Sequence, residues 1–150
     1  MTIGIQVVGV PELQAQLTRM GNTAGGGPLM EAVKAGALLV QNAAKQKVPK
    51  RTRTLSRSIA TTIEREGDAV VALIGPSEPY GKYIEYGTGR YAEGGNGRRT
   101  PWVYRGPNGR YYTTEGMKPR PYMRPALDEN REKAIKEMER VFRRMIGGAP

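Results

Sequence analysis

Hydrophobic residues recur along the chain at two spacings, and these divide it into strands and helices. Residues 2–8 alternate, with Ile3, Ile5 and Val7 on one side and Gly4 and Gln6 on the other, which is the period of a strand. After Pro11, Leu13, Leu17 and Met20 form one helical stripe, which Gly21 and Asn22 end. A glycine-rich loop over 23–27 leads to a longer helix predicted at 28–47. Its stripe is Leu29, Val33, Gly36 with Ala37, Val40 and Ala44. Many of its positions are Ala or Gly, so another element can approach closely. Pro49 marks its end, because the residue before a proline disfavours the helical region.

Residues 50–54 read as a basic, polar loop. Strand-like runs follow over 55–63 and 69–74, with a turn at 65–68 between them, which predicts a β-hairpin. Tyr80, Tyr83 and Tyr86, spaced by three, sit on neighbouring positions of a short helix. Gly87 and Gly89 stop it, since glycine tolerates left-handed backbone. The next stretch, 88–120, reads as neither helix nor strand and is long for a loop. Within it R-G-P-N-G-R is a tight turn with β-prone flanks, which predicts a small protruding hairpin at 101–114. Pro121 to Pro125 form a stiff lead-in to a last helix at 125–146, with Pro125 in its first position. Leu127, Ile135, Met138, Val141 or Phe142, and Met145 make its stripe. The fold class expected is α+β. A small antiparallel sheet is packed by the long helix (28–47) and the C-terminal helix (125–146), and a loop or hairpin protrudes at 88–118. All of this lies in one domain spanning 1–150.

Composition narrows the chemistry. The chain has no cysteine and no histidine, so disulfides, thiolate metal sites and imidazole catalysis are excluded. No apolar run approaches the roughly 20 residues of a membrane span, and the first residues show no signal pattern. A cytoplasm-like compartment is therefore expected. Only carboxylate, lysine or serine–lysine machinery remains for catalysis, and no paired carboxylates stand at a revealing spacing outside the last helix. There Glu132, Glu137 and Glu139 alternate with Lys and Arg, as on a solvated face. No phosphate-binding loop, dinucleotide fingerprint or calcium loop is present. The expectation is a non-enzyme with no cofactor and no metal.

The formal net charge is +10, and the excess is local. One acid-free run holds Lys45, Lys47, Lys50, Arg51, Arg53 and Arg57. A second holds Arg98, Arg99, Arg105, Arg110, Lys118, Arg120 and Arg124, relieved only by Glu115. Two such segments on one small domain point to an acidic partner, either nucleic acid or an acidic protein face, or else to a plain solubility surface. Trp102, Tyr104, Tyr111 and Tyr112 are interleaved with the second run, and this aromatic content argues against pure disorder. Tyr83, Ile84 and Tyr86 suit a core or a subunit contact. Glu85 either pairs with an arginine of the 49–59 or 120–125 segment, fixing the two together, or is an exposed charge of little worth.

Three segments carry a resemblance when taken in order after a long helix. P-K-R-T-R-T-L-S-R-S-I (49–59) resembles a Pro-x-Arg-Thr-Gly-x-Leu-x-x-Ser-Ile pattern. P-Y-G-K-Y-I-E-Y-G-T-G (79–89) resembles Tyr-Ala-x-Tyr-Val-Glu-Phe-Gly-Thr. R-P-Y-M-R-P-A-L (120–127) resembles Pro-Phe-Leu-Arg-Pro-Ala-Leu just before a final helix. Together they are similar to the head–tail joining or tail-completion proteins of long-tailed bacteriophages, the gene-product-ten-like neck proteins, over about residues 28–145. The chain departs from the pattern at Arg53, where glycine is usual, at Gly81, where alanine is usual, and in the long 90–118 insertion.

The resemblance implies a virion subunit, made in the host cytoplasm, that forms a ring, expected to be a hexamer, between portal complex and tail tube. The ring would join or complete the tail, as a completion or terminator layer, and let DNA pass. Its partners would be copies of itself and the adjoining head-connector and tail proteins, with no membrane. Tyr80, Tyr83, Glu85, Tyr86, Trp102, Tyr104, Tyr111, Tyr112, Pro121, Tyr122 and Arg124 are the expected subunit or partner contacts. Lys50, Arg51, Arg53 and Arg57 are expected to face DNA in the lumen or an acidic partner. The alternative is a small basic nucleic-acid-binding accessory protein whose Trp/Tyr/Arg loop stacks bases. A prophage-borne toxin or inhibitor has no residue to support it.

Overall fold

The computed structural model describes residues 3–5, 27–49, 53–67 and 69–147. The sequence-predicted helix from Pro11 and most of the strand over 2–8 lie outside these residues. Along the chain come β1 (Ile3–Ile5), α1 (Gly27–Lys47), α2 (Arg53–Ser58), β2 (Ile59–Glu66), β3 (Ala69–Pro76), α3 (Gly81–Tyr86), β4 (Trp102–Arg105), β5 (Tyr111–Thr114) and α4 (Met123–Gly147). The class is α+β, as expected from the patterning.

β1, β3 and β2 form an antiparallel sheet in that order, with Ile3 opposite Ile74 and Ile63 opposite Ala72. As the central strand, β3 buries side chains of both faces, Val70, Val71, Ala72 and Ile74. β2 is an outer strand. It buries Ile59 and half-buries Thr61 and Ile63, while Ala60, Thr62, Glu64 and Glu66 on the alternate positions are exposed. The β2–β3 hairpin turns at Gly67, whose φ of 61° suits glycine.

α1 lies between the sheet and α4. Ala32, Val33, Gly36, Ala37, Val40 and Ala44 are its buried positions, so its predicted stripe is the packed face. The small-residue reading also holds. A Cβ added at Gly36 would collide with Met138 and lie 2.9 Å from the Ala134 carbonyl oxygen of α4. Glycine here lets two helices touch backbone to side chain. At the far end the Ser56 hydroxyl donates to the Lys45 carbonyl at 3.1 Å, tying α1 to α2.

Three expectations need correction. First, 55–58 is helical, and the strand starts at Ile59 rather than Leu55. Leu55 and Ile59 are both almost wholly buried. Their i, i+4 spacing is helical, and the polar Ser56, Arg57 and Ser58 between them break the alternation a strand needs. Second, α4 starts two residues early, so Pro125 is its third residue, and the stripe is shifted. Ala126, Ala134, Met138, Val141 and Phe142 are buried, whereas Met145 is exposed and Leu127 and Ile135 are only half-buried. Third, the stretch 88–120 is not structureless. It holds a 3-10 turn at Gly89–Tyr91 and, as anticipated for 101–114, an antiparallel hairpin of β4 and β5.

Candidate functional site

The centre of the site is a buried carboxylate. Glu85 sits in the last turn of α3 with no exposed surface, and it is the one charged residue fully buried among the described residues. Its Oε2 accepts the backbone N–H groups of Tyr122 at 2.7 Å and Met123 at 2.9 Å. Its Oε1 accepts the N–H of Arg124 at 3.1 Å and the Arg124 Nε at 2.9 Å. The first turn of a helix presents N–H groups with no partner inside the helix, and a positive end to the peptide dipoles. Glu85 meets both needs from 37 positions upstream of Tyr122. It therefore acts as the N-terminal cap of α4. This explains the early start of that helix, because three amides are satisfied before Pro125, which has none to satisfy. Burial by itself would push the Glu85 carboxyl upward. The donations from Met123, Tyr122 and Arg124 outweigh it and hold the group below its ordinary value.

Arg124 spreads the same fork further. Its NH1 and NH2 each reach a Glu93 oxygen at 2.9 Å, the bidentate geometry that a guanidinium favours, and NH2 also reaches the Glu85 carbonyl at 3.3 Å. Its charge lies 4.9 Å from the centre of the Tyr86 ring. The two carboxylates, Glu93 first and then Glu85, raise the Arg124 pKa, so it stays charged. Tyr122 is fully buried beside them and donates its hydroxyl to the Gly81 carbonyl at 3.4 Å. Burial, then the neighbouring Glu85 charge, pushes its pKa up and keeps the phenol neutral. Gly81 is glycine for a steric reason, since a Cβ there would lie 2.6 Å from Pro76 Cγ and 2.8 Å from the Tyr122 oxygen.

This knot anchors an arm. Thr88 N–H donates to the Met117 carbonyl at 2.9 Å, Arg90 N–H to Glu115 at 3.0 Å, and Met117 N–H to the Thr88 hydroxyl at 3.0 Å. Two passes of the chain are thus laced side by side. Gly89, at φ 60°, and Gly116, at φ 122°, are pressed against the opposite backbone, on Glu115 and Thr88 respectively, where a Cβ has no room. Arg90 pairs with Glu115 at 2.6 Å across the base. Beyond it β4 and β5 pair chiefly with one another. Tyr104 and Tyr112 face each other across the strands with ring centres 5.7 Å apart, and Arg98 lies over Trp102. Tyr111 is 74% exposed and Val103 61%.

Most of the residues singled out by sequence therefore fall into two groups. Glu85, Tyr86, Tyr122 and Arg124 converge in the knot, with Tyr80 half-buried against the core beside them. Glu85 and Tyr122 lie inside the protomer itself. Of its two possible partners, Glu85 takes the arginine of the 120–125 segment. Trp102, Tyr104, Tyr111 and Tyr112 gather on the arm. Tyr83 stands exposed on the outer side of α3 under the Lys82 ammonium, and Pro121 is exposed. Arg53 and Arg57 are exposed on α2, apart from both groups, while Lys50 and Arg51 lie outside the described residues. Glu93 and Thr88 were not anticipated. The available signal for Glu93 was an acid within an otherwise basic stretch.

Among the described residues no cluster of acidic side chains could hold a metal ion, and no helix there is long and apolar enough to cross a membrane. Residues 12–87, about half of the chain, match the family model described as "Bacteriophage HK97-gp10, putative tail-component". The matched span takes in α1, α2, the β2–β3 hairpin and α3, and stops at Gly87, where the arm begins. No curated protein and no solved structure matches the chain.

Proposed function

Because the chain belongs to the bacteriophage HK97-gp10-like family of tail components, we propose that it is a structural subunit of the phage neck. Copies of it form a ring, a hexamer in this reading, that joins or completes the tail at the head–tail interface and lets DNA pass. The ring assembles in the host cytoplasm and resides in the virion between head-connector and tail proteins. It carries no catalytic activity.

The observation that supports this reading is the arm. It is braced at its root by an ion cluster built on the buried Glu85 carboxylate, yet it presents Val103, Tyr104, Tyr111 and Tyr112 to solvent. A rigid mount with an uncovered aromatic end suits a subunit that contacts neighbours, since Tyr, Trp and Arg are the residues that dominate protein interfaces. Arg53 and Arg57, exposed on α2, are the cations assigned to the lumen or to an acidic neighbour.

The test is deletion of 94–114 with a short glycine bridge, which keeps Glu93 on Arg124 and both passes of the laced base. The shortened protein is expected to fold, with an unchanged circular dichroism spectrum. In a complementation assay it should leave heads without joined tails. Undiminished yield of infectious particles from the deletion would remove the arm's role. The alternative, a free nucleic-acid-binding protein, rests on the same arginines and tyrosines. It predicts duplex retention at low salt that falls steeply as salt is added.

A further inference from the structure

We infer that the arm of one protomer docks on the outer edge of β2 in a second copy of this chain, arginines against glutamates. This rests on the ring reading above and names the contact that would build the ring.

The charges of the chain are sorted by segment. Residues 88–120 hold seven basic residues and two acids, a net of +5. Both acids are already engaged, Glu115 by Arg90 and Glu93 by Arg124. Arg98, Arg99, Arg105, Arg110, Lys118 and Arg120 have no carboxylate partner among the described residues. Five of these six are arginine, whose planar fork matches a carboxylate in two-point contact. Residues 59–79 show the opposite balance, with four acids against one base, a net of −3 inside a chain of +10. Glu64 and Glu66 of that segment are exposed on β2 and form no ion pair among the described residues.

Backbone geometry points the same way. In the order β1–β3–β2, the far side of β2 has no strand beside it among the described residues. The β4–β5 hairpin likewise has two open edges. A two-stranded ribbon with both faces wet is marginal by itself, and an open edge is a template for another strand. Among the described residues, the arm and β2 of one protomer share no ion pair. The contact joins two different surfaces, so it repeats head to tail and closes into a ring when the rotation allows.

Charge reversal and repair test it. Two variants are made, Arg105→Glu with Arg110→Glu on the arm, and Glu64→Arg with Glu66→Arg on the edge. All four positions are exposed, so both variants should fold. Sedimentation at near-millimolar protein and low salt should show the wild type self-associating. Each variant alone should associate at least about tenfold more weakly, from the coupling typical of close interfacial charges. Mixing the two variants, or placing all four reversals in one chain, should restore association.

A wild type that stays monomeric, reversals without effect, or reversals that do not repair one another would each overturn the inference. Loss of duplex DNA retention in the arm variant with self-association intact would do the same, and would make nucleic acid the arm's partner. The ring reading is checked separately by incorporation into particles. An arm variant that self-associates and enters particles normally sinks only the docking inference. A wild type absent from particles sinks the neck assignment even if it self-associates.

Discussion

The knot at Glu85 and the arm beyond Thr88 are neighbours in the chain, yet they handle charge in opposite ways. In the knot one carboxylate accepts four donors, and one guanidinium serves two carboxylates and a ring. Every polar group there has its counterpart inside the protomer, and no buried side-chain nitrogen or oxygen lacks a partner among the described residues. On the arm, Arg98, Arg99, Arg105, Arg110, Lys118 and Arg120 have no carboxylate partner among the described residues, and Val103 and Tyr111 lie largely in solvent. The difference teaches that the first region fixes shape and the second displays it. The match to the family model ends at the junction of the two.

The most direct way to break the comparison is at Glu85. Glu85→Ala leaves the amides of Tyr122, Met123 and Arg124 without their acceptor, while Arg124 keeps Glu93, and should cost about 3 kcal/mol, the upper end for a stranded buried hydrogen-bonding group. Chemical denaturation would measure this. An effect under about 1 kcal/mol, the ordinary range of a surface pair, would show that the knot is not structural. Next, Gly36→Val drives a side chain into Met138 and the α4 backbone and should cost about 1–3 kcal/mol. A neutral outcome would mean that α1 and α4 can separate freely.

Gly89→Ala meets both a positive φ and the Glu115 carbonyl, and a cost of about 1–3 kcal/mol is expected. Unlike Gly36→Val, it should raise amide exchange in 88–117 while leaving α1 protected. Acid sharpens the same contrast. The Glu85 carboxyl is held below its ordinary 4.5, so between the folded value and 4.5 the unfolded chain binds the extra proton. The stabilisation is complete above pH 4.5 and is lost as pH falls through the folded value. Glu85→Gln should flatten that part of the stability–pH curve. Smallest in stability is Tyr111→Ser on the arm, expected within about 0.5 kcal/mol, with its effect instead on self-association by light scattering.

What could be foreseen follows from range. α1, the β2–β3 hairpin and α4 were legible because their apolar residues repeat at fixed local periods. The arm hairpin was legible because Gly106, Pro107, Asn108 and Gly109 are local turn chemistry, borne out by the Asn108 oxygen accepting the Arg110 N–H. Leu55 was misplaced because a helix of only six residues gives too short a pattern to outweigh the β-prone run after it. Glu85 could be seen to want an arginine, but not to cap a helix. The start of α4 is set by a side chain 37 positions before Tyr122, and no local period carries that information. The same holds for Glu93, 31 positions from its partner.

The laced root of the arm has a practical consequence. Its strands enter and leave side by side at 88–90 and 115–117, so whatever lies between them begins and ends at nearly one point. A foreign peptide with closely spaced termini can therefore be grafted in place of 94–114, keeping Glu93 on Arg124, without altering the separation of α3 and α4. The position is a natural socket for exchanging one recognition element for another, or for mounting a label.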